Sequence, residues 1–540
     1  MSWLNRTRMA AAASLVSAGA LAGCALTALG DDERAGARAP AAGVPAECSR
    51  VPAPDGGQGR ELRGMWIATV GNIDWPKDPG ASAAEQKKQY TRLLDRAAAM
   101  NMNAVFVQIR PNSDAFYDSP HEPWSQWITG EPGKDPGYDV LGFLLKEAHA
   151  RNLEFHAWFN PYRVSRQTDL KKLAPGSPAR ENPEWVREYG DGLWYDPGIP
   201  EVRDLVTASV LDVVNRYDID AVHFDDYFYP YPEDGAFPDE ATHRAHGDGQ
   251  DLGDWRRANV NTLVRTVSEK IHAAKPHVRF GISPFGVWRN ATTDPAGSDT
   301  RALQSYDDVY ADTRTWIKEG WVDYVTPQLY WPIGDPAADY AELVGWWSEQ
   351  VEGTDVRLYI GQGAYRVGQG GAWDDPAELT RHLSLNDEHP EVDGDVYFSA
   401  SDLMDNTDGF ATRLREKHYT RPAIPPVVAP NGEDEEGEGD GAPAPAPAHG
   451  VTARPHADGV EVRWKPSPDA ASHAVYRVDG EGDECAAVDP DRLIADVRGG
   501  GIIDPAAEPG RTYTYYVTAV DRYHRESPPA RGATAAAPEG

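Results

Sequence analysis

The chain has 540 residues, 40% of them apolar and 17 of them Trp, which is enough to bury a large core and excludes global disorder and collagen-like repeats. Its net charge of −33 repels nucleic acid and anionic membrane surfaces at long range and disfavours both as partners. Three cysteines cannot build a disulfide scaffold.

Arg6 and Arg8 precede a short apolar run from Met9 to Ala22, which ends Leu21-Ala22-Gly23-Cys24. The run is shorter than the ~20 residues that span a bilayer, so residues 1–24 are predicted to be an export signal. Its ending resembles the lipobox of bacterial lipoproteins, which implies that Cys24 is lipidated and anchors the mature chain in the cell envelope. Cys48 and Cys485 lie in different segments, and no structural disulfide is expected. Residues 25–59 are rich in Ala, Gly, Pro and charge and read as a flexible tether. An acidic run followed by a Pro-Ala repeat marks 423–450 as a linker. Folded parts are expected at 60–422 and 451–536, with few contacts between them.

Within the first part, β-rich apolar runs recur at Arg63–Thr69, Asn103–Ile109, Glu154–Phe159, Asp220–Tyr227, Arg279–Phe285, Tyr324–Tyr330, Arg357–Ala364 and Val396–Asp402. Helical patterns lie between several of them, at Tyr90–Met100, Leu141–Arg151 and Trp255–Ala274. Strand and helix alternating in this way predict an α/β fold, a (β/α)8 TIM barrel with long loops. The turn after the first run lacks GxGxxG spacing, so no dinucleotide site is expected. In the second part Val460, Val462 and Trp464 alternate, as do Ala474, Tyr476 and Val478, and Tyr513, Tyr515 and Val517. The early Trp, SHAVYRVDG and TYTYYVTAVDRYHRES resemble a fibronectin type III module, which implies a small all-β sandwich with no chemistry of its own.

Barrels carry their chemistry at the C-terminal ends of the strands. There the chain places Asp74 and Trp75, then Gln108, Arg110, Asn112 and Asp114, then Asn160 and Arg163. The later strands place His223, Asp225, Asp226 and Tyr227, then Ser283 and Trp288, then Gln328, Tyr330 and Trp331. Acids, amides, arginines and many aromatics are the residue types of a carbohydrate cleft. On the fourth strand, alternation sends Val222 and Phe224 to the helices and turns His223 and Asp225 to the barrel axis. Asp225 is then placed as nucleophile or base, with His223 below it as a hydrogen-bond partner. Asp226 is a second catalytic candidate and Asp114 the preferred third, ahead of Asp74 and Glu233. The other strand-end residues are candidates for sugar binding. No HxxxH or CxxC accompanies His223-x-Asp225-Asp226, and there is no GxSxG elbow. No metal or cofactor is expected. The full DxxDxDxE of chitinase-type barrels is missing, because Tyr227 stands where the last Glu belongs.

Six segments, in order, resemble the glycosyl-hydrolase-like 10 family: RGMWIA with DWP, VFVQIRP, AWFNPYR, VHFDDYFYP, GISPFGVW and PQLYW. That resemblance implies an exported, often lipid-anchored TIM-barrel enzyme that hydrolyses cell-wall glycan strands, notably peptidoglycan stripped of its stem peptides. It also implies that the acids of HFDDYFYP are catalytic. The competing expectation is a non-catalytic glycan-binding lipoprotein that uses the barrel only as a scaffold.

Cys24→Ser is expected to move the protein from the membrane fraction to the soluble fraction. Unchanged membrane partition in cell fractionation would refute the anchor.

Overall fold

The computed structural model describes residues 59–232, 235–428, 444–482 and 489–539. The export segment with Cys24, the tether, Cys48, Glu233, Cys485 and most of the acidic linker lie outside the described residues.

Eight parallel strands close into a barrel in sequence order: β1 Leu62–Ile67, β2 Ala104–Arg110, β3 Glu154–Phe159, β4 Ala221–Phe224, β5 Arg279–Ile282, β6 Tyr324–Val325, β7 Arg357–Gln362 and β8 Val392–Tyr397. Each is followed by a helix on the outside: α1 Ala83–Ala99, α2 Val140–Ala150, α3 Pro200–Arg216, α4 Leu252–Ala274, α5 Thr313–Lys318, α6 Tyr340–Val351, α7 Glu378–Asn386 and α8 Phe410–Lys417. This is the predicted TIM barrel. The helices form where capping and apolar spacing coincide. Ser82 accepts the Glu85 N–H at the start of α1, and Tyr90, Leu93, Leu94 and Ala97 then fall on one buried stripe. Asp139 caps α2 in the same way, ahead of Leu141, Leu144, Leu145 and Ala148.

Two cores result. The larger lies between strands and helices and takes the outward side chains, Val222 and Phe224 among them. The smaller fills the barrel with Trp66, Phe106, Trp158, Tyr324 and Tyr359. Glycines make room for these rings. A Cβ on Gly281 would meet Tyr324 at 2.1 Å, and one on Gly64 would meet Phe106 at 2.7 Å.

The last strand departs from expectation. β8 begins at Val392, four residues before the predicted run, and Ser399 caps a short helix, Ala400–Asp405, that holds Ser401 and Asp402. Asp393 and Asp395 hid its start. Both are buried in the strand, Asp393 paired with Arg357 and Asp395 hydrogen-bonded to Gln362 and Asn386.

The C-terminal module has the predicted sandwich form. Its strands are β9 His449–His456, β10 Gly459–Lys465, β11 Ser472–Asp479, β12 Leu493–Val497, β13 Gly501–Asp504, β14 Thr512–Val520 and β15 Ala533–Ala536. A three-stranded sheet, β9-β10-β13, faces a four-stranded one, β12-β11-β14-β15. Val460, Val462, Trp464, Tyr513, Tyr515 and Val517 fill the space between them.

The expectation of few contacts between the two parts is corrected by this structure. The module packs against the N-terminal ends of the barrel strands, opposite the end at which the strands' C-termini open. His524 Nε2 lies 2.6 Å from Glu154 Oε1, at the start of β3, and Arg279 donates to the same oxygen at 2.6 Å. Arg60 reaches Glu526 at 3.0 Å, and Asn152 reaches Asp496 at 2.8 Å. Residues 423–428, assigned above to the linker, also pack here: Ile424 accepts the Glu61 N–H at 3.0 Å and the Pro426 carbonyl meets His524 Nδ1 at 2.7 Å. The cause is charge. Glu154 and Arg279 are buried at the barrel floor, and a buried ion pair is tolerated only when its remaining polar atoms find partners.

A chain ending at Arg421 is therefore expected to keep its turnover but to melt about 5 °C or more below the full-length protein. Calorimetry and rate measurements on the same sample check both halves. Loss of turnover with the barrel still folded would place the module in the active site.

Candidate active site

β4 ends at Phe224, and Asp225 and Asp226 follow it at the C-terminal mouth of the barrel. Asp225 is 9% exposed and Asp226 5%. Three N–H groups converge on Asp225. Asn160 Nδ2 donates to Oδ2 at 2.7 Å, while the Asp226 backbone N–H at 2.9 Å and Gln328 Nε2 at 3.4 Å donate to Oδ1. Asp226 sits differently. The Tyr231 hydroxyl donates to its Oδ2, and its carboxyl hydrogen-bonds to that of Asp225. Burial first, then the Asp225 charge and the hydrogen bond to it, push the Asp226 carboxyl well above the usual carboxylate range, against the pull of Tyr231. Of the two carboxyls, Asp226 is therefore the one biased towards holding a proton.

The donor that faces Asp225 is set two strands away. Gln108 on β2 is buried, and its Oε1 accepts the backbone N–H groups of Thr69 and Val70 at 2.9 Å each. That leaves Nε2 to donate to Asn160 Oδ1 at 2.5 Å. With its oxygen taken, Asn160 presents Nδ2 to Asp225 and, also at 2.7 Å, to the Tyr227 hydroxyl. Gln108 and Asn160 thus act on the acid, not on a sugar.

His223 faces the axis as alternation requires, but its partners are Ser283 Oγ at 2.9 Å, the Tyr324 hydroxyl at 3.2 Å and Trp66 Nε1 at 3.3 Å, not Asp225. Burial and the nearby His156 hold its pKa well below the usual value, so it is a neutral prop beneath the dyad. Ser283 is spent on it.

Several expected cleft residues are elsewhere. Asp74 is buried and accepts from the Ala68 N–H, Ser399 Oγ and the Ser401 N–H, which ties the β1 and β8 loops together. Trp75 is fully buried against Tyr90 and Phe116, its Nε1 donating to the Gln86 carbonyl at 2.8 Å. Trp288 packs on Tyr306 and Trp346 outside the barrel. Arg110 is fully buried and gripped by Glu122, at 2.6 Å through Nε. For Asp74, Trp75 and Trp288 the loop after the strand folds back and takes the side chain with it, whereas Arg110 is the last residue of β2, where the register against β3 shifts. Asn112 and Asp114 line a separate pocket of about 120 Å³ with Trp124, Gln126 and Lys172. Burial pushes the Asp114 carboxyl up to about 7 there, but it does not join the dyad.

The walls over the dyad are aromatic. Tyr330 and Trp331, both expected, are half-buried at its edge. Trp331 meets Phe285 edge-on at 5.5 Å, and Phe285 meets Tyr231 at 6.1 Å. Tyr330 meets Tyr365 at 5.6 Å and Phe398 at 6.4 Å. Across the mouth, Arg163 stacks on Tyr227 and Trp194 at 4.5 and 4.8 Å. Tyr231, Tyr365, Phe398 and Trp194 were not among the expected site residues. Tyr231 closes the FDDYFYPY segment, and Phe398 follows the true end of β8, so a correct register would have pointed to the latter. Flat aromatic faces around a carboxyl dyad suit a sugar ring, and the dyad suits proton transfer at a glycosidic oxygen.

The family model described as glycosyl hydrolase-like 10 matches residues 61–377, more than half of the chain. The chain is 46% identical over 477 residues to glycosyl hydrolase YngK of Bacillus subtilis, covering 87% of this chain and 92% of that one. It is 41% identical to glycosyl hydrolase DigH of Escherichia coli K12, over 66% of this chain and 86% of that one. Among solved structures, the glycoside hydrolase domain of PgaB from Bordetella bronchiseptica is a looser likeness, 15% identical with a TM-score of 0.44, over 66% of this chain and 98% of that one. On the family model and these two relatives, the chain belongs to the glycosyl hydrolase-like 10 family.

Proposed function

We propose that this glycoside hydrolase cleaves the glycan strands of the cell wall, with peptidoglycan freed of stem peptides as its substrate, while held at the membrane by lipidated Cys24. The observation that carries the reading is geometric: two buried carboxyls, Asp225 and Asp226, stand together at the mouth of the barrel beneath aromatic walls, and burial beside Asp225 pushes the Asp226 carboxyl well above its usual range. The export signal supports the substrate, since an enzyme that leaves the cytoplasm meets the wall glycan first.

In the proposed reaction Asp226 gives its proton to the glycosidic oxygen as the bond to the anomeric carbon breaks. The Asp225 carboxylate stabilises the oxocarbenium-like charge that develops on the sugar. Water then adds its oxygen to the anomeric carbon and returns a proton to Asp226. The two carboxyls touch, which is closer than the ~5–5.5 Å of a retaining pair or the ~6.5–9.5 Å of an inverting pair. They work from one side of the bond as a unit, and neither Asp74 nor Asp114 stands opposite them.

Asp225→Asn keeps the shape and removes the charge. On peptide-free glycan it is expected to lower turnover by about 10²–10⁴-fold with little change in affinity, measured as release of reducing ends. Near wild-type turnover would remove Asp225 from the mechanism.

Asp226→Asn separates stability from catalysis. Because the folded-state pKa of Asp226 is raised, the folded protein loses stability as pH climbs above the ordinary carboxylate value of 3.8. Asparagine carries no such pH-dependent loss, and its amide can still donate to Asp225. The variant is expected to be about 1 kcal/mol more stable at pH 7, with no gain near pH 3, and to lose turnover. Denaturant titrations at the two pH values check this.

A further inference from the structure

Arg163 lies on the short strand Arg163–Ser165 that follows β3. Its guanidinium carbon stands 4.5 Å from the Tyr227 ring centre and 4.8 Å from that of Trp194. Stacking uses the faces of a guanidinium and leaves its in-plane N–H groups free to donate. Among the described residues no carbonyl or carboxylate accepts from them, and the same holds for Arg166, three residues on. Arg166 reaches the loop after β1, where a Cβ added to Gly71 would sit 3.1 Å from its Nη1. The Tyr227 ring under Arg163 carries the hydroxyl that accepts from Asn160, the amide that holds Asp225. Arg163 therefore stands beside the dyad, and Arg166 follows three residues on along the same segment.

Several arginines of this acidic chain are held by carboxylates: Arg110 by Glu122, Arg256 by Asp239, Arg279 by Glu154, Arg289 by Asp307. The two half-buried guanidinium groups of Arg163 and Arg166 have no such partner among the described residues, so their donors are available to a ligand. A planar anion with two oxygens matches the guanidinium edge. The need is also electrostatic. With a charged Asp225 on the floor and −33 overall, an anionic glycan is repelled unless local cations receive it.

We infer that Arg163 and Arg166 form a carboxylate-recognition site that selects glycans whose sugars carry a free carboxylate and turns that group away from Asp225. The inference rests on the glycosidase reading above. A lactyl ether and a uronate present the same chemistry.

The test compares each substrate with its own neutral form. Peptide-free peptidoglycan strands carry lactyl carboxylates, hyaluronan oligosaccharides carry uronates, and both are converted to methylamides with carbodiimide. The wild-type enzyme is expected to favour the acid over the amide in kcat/KM by about 10- to 100-fold on at least one of the two, which also identifies the source. That preference should shrink as salt rises. In Arg163→Gln and Arg166→Gln the acid-to-amide ratio is expected to fall towards one, and Arg163→Lys should restore part of it. A variant that is merely loosened loses both substrates equally, so an unchanged ratio overturns the inference. So does a wild-type ratio near one on both glycans. If the wild type cleaves neither glycan, the glycosidase reading fails. The affinities of Asp225→Asn, with and without Arg163→Gln, for acid and amide strands then decide the recognition site separately: equal affinities overturn it, and an acid preference lost with Arg163 sustains it.

Discussion

A nearly dry carboxylate survives only where N–H groups meet it, and the amide pair Gln108–Asn160 supplies that condition at Asp225. The polarity of the pair is imposed from outside. Two backbone N–H groups, of Thr69 and Val70, occupy the Gln108 oxygen, and every later donor follows from that choice. The relay requires β1 to β4 to be neighbours in register. Gln108 stands beside Trp158, and Trp158 beside His223, so the loop after β3 arrives level with the end of β4. A closed parallel barrel provides that adjacency. From the donors gathered on Asp225 follows the unequal setting of the two carboxyls, with Asp226 pushed above the usual carboxylate range.

The two ends of the barrel treat charge in opposite ways. At the floor, burial alone would raise Glu154, but Arg279 and then His524 hold it well below the usual range. The ion pair is closed on the barrel side by Arg279 and on the outer side by a residue of the sandwich. His524 comes from a turn after β14, so the module completes the barrel electrostatically while standing at the end away from the dyad. At the mouth, by contrast, Asp225 is met by N–H groups and, among the described residues, by no ion pair. Stability is concentrated at one end and reactivity at the other, as in other barrels of this kind.

Most of the fold was legible from local pattern. Eight strand signals in sequence translate into eight strands because parallel barrel strands, buried on both faces, read as apolar runs. Where buried polar residues interrupt the run, as Asp393 and Asp395 do in β8, the signal slips. The site was legible only in part. Alternation placed His223 on the axis correctly, since it depends on the strand alone. It could not place Trp75 or Trp288, whose positions depend on how a loop returns to the helices, nor Arg110, at which the register of β2 against β3 shifts. Residue type also misled. Tryptophans suggest sugar platforms, yet Trp75 and Trp288 are packing groups, whereas the tyrosines and phenylalanines over the dyad come from five different loops and carry no common spacing. Docking of the module was hidden for a related reason, because its contacts join residues hundreds of positions apart and use charges that read locally as ordinary surface.

Asp225 and Asp226 are identical side chains on consecutive residues, and the chain direction alone makes them unequal. The Asp226 backbone N–H points back and donates to Asp225 Oδ1 at 2.9 Å. Two further N–H donors fall on the same carboxyl, whereas Asp226 receives a hydroxyl, which serves a protonated neighbour as readily as a charged one. Burial beside Asp225 pushes the Asp226 carboxyl well above its usual range, and the amide donors of Asn160 and Gln328 that could offset this are aimed at its neighbour. Exchanging the two environments would require turning the backbone, not the side chains, so the inequality of the pair is built into the way β4 ends.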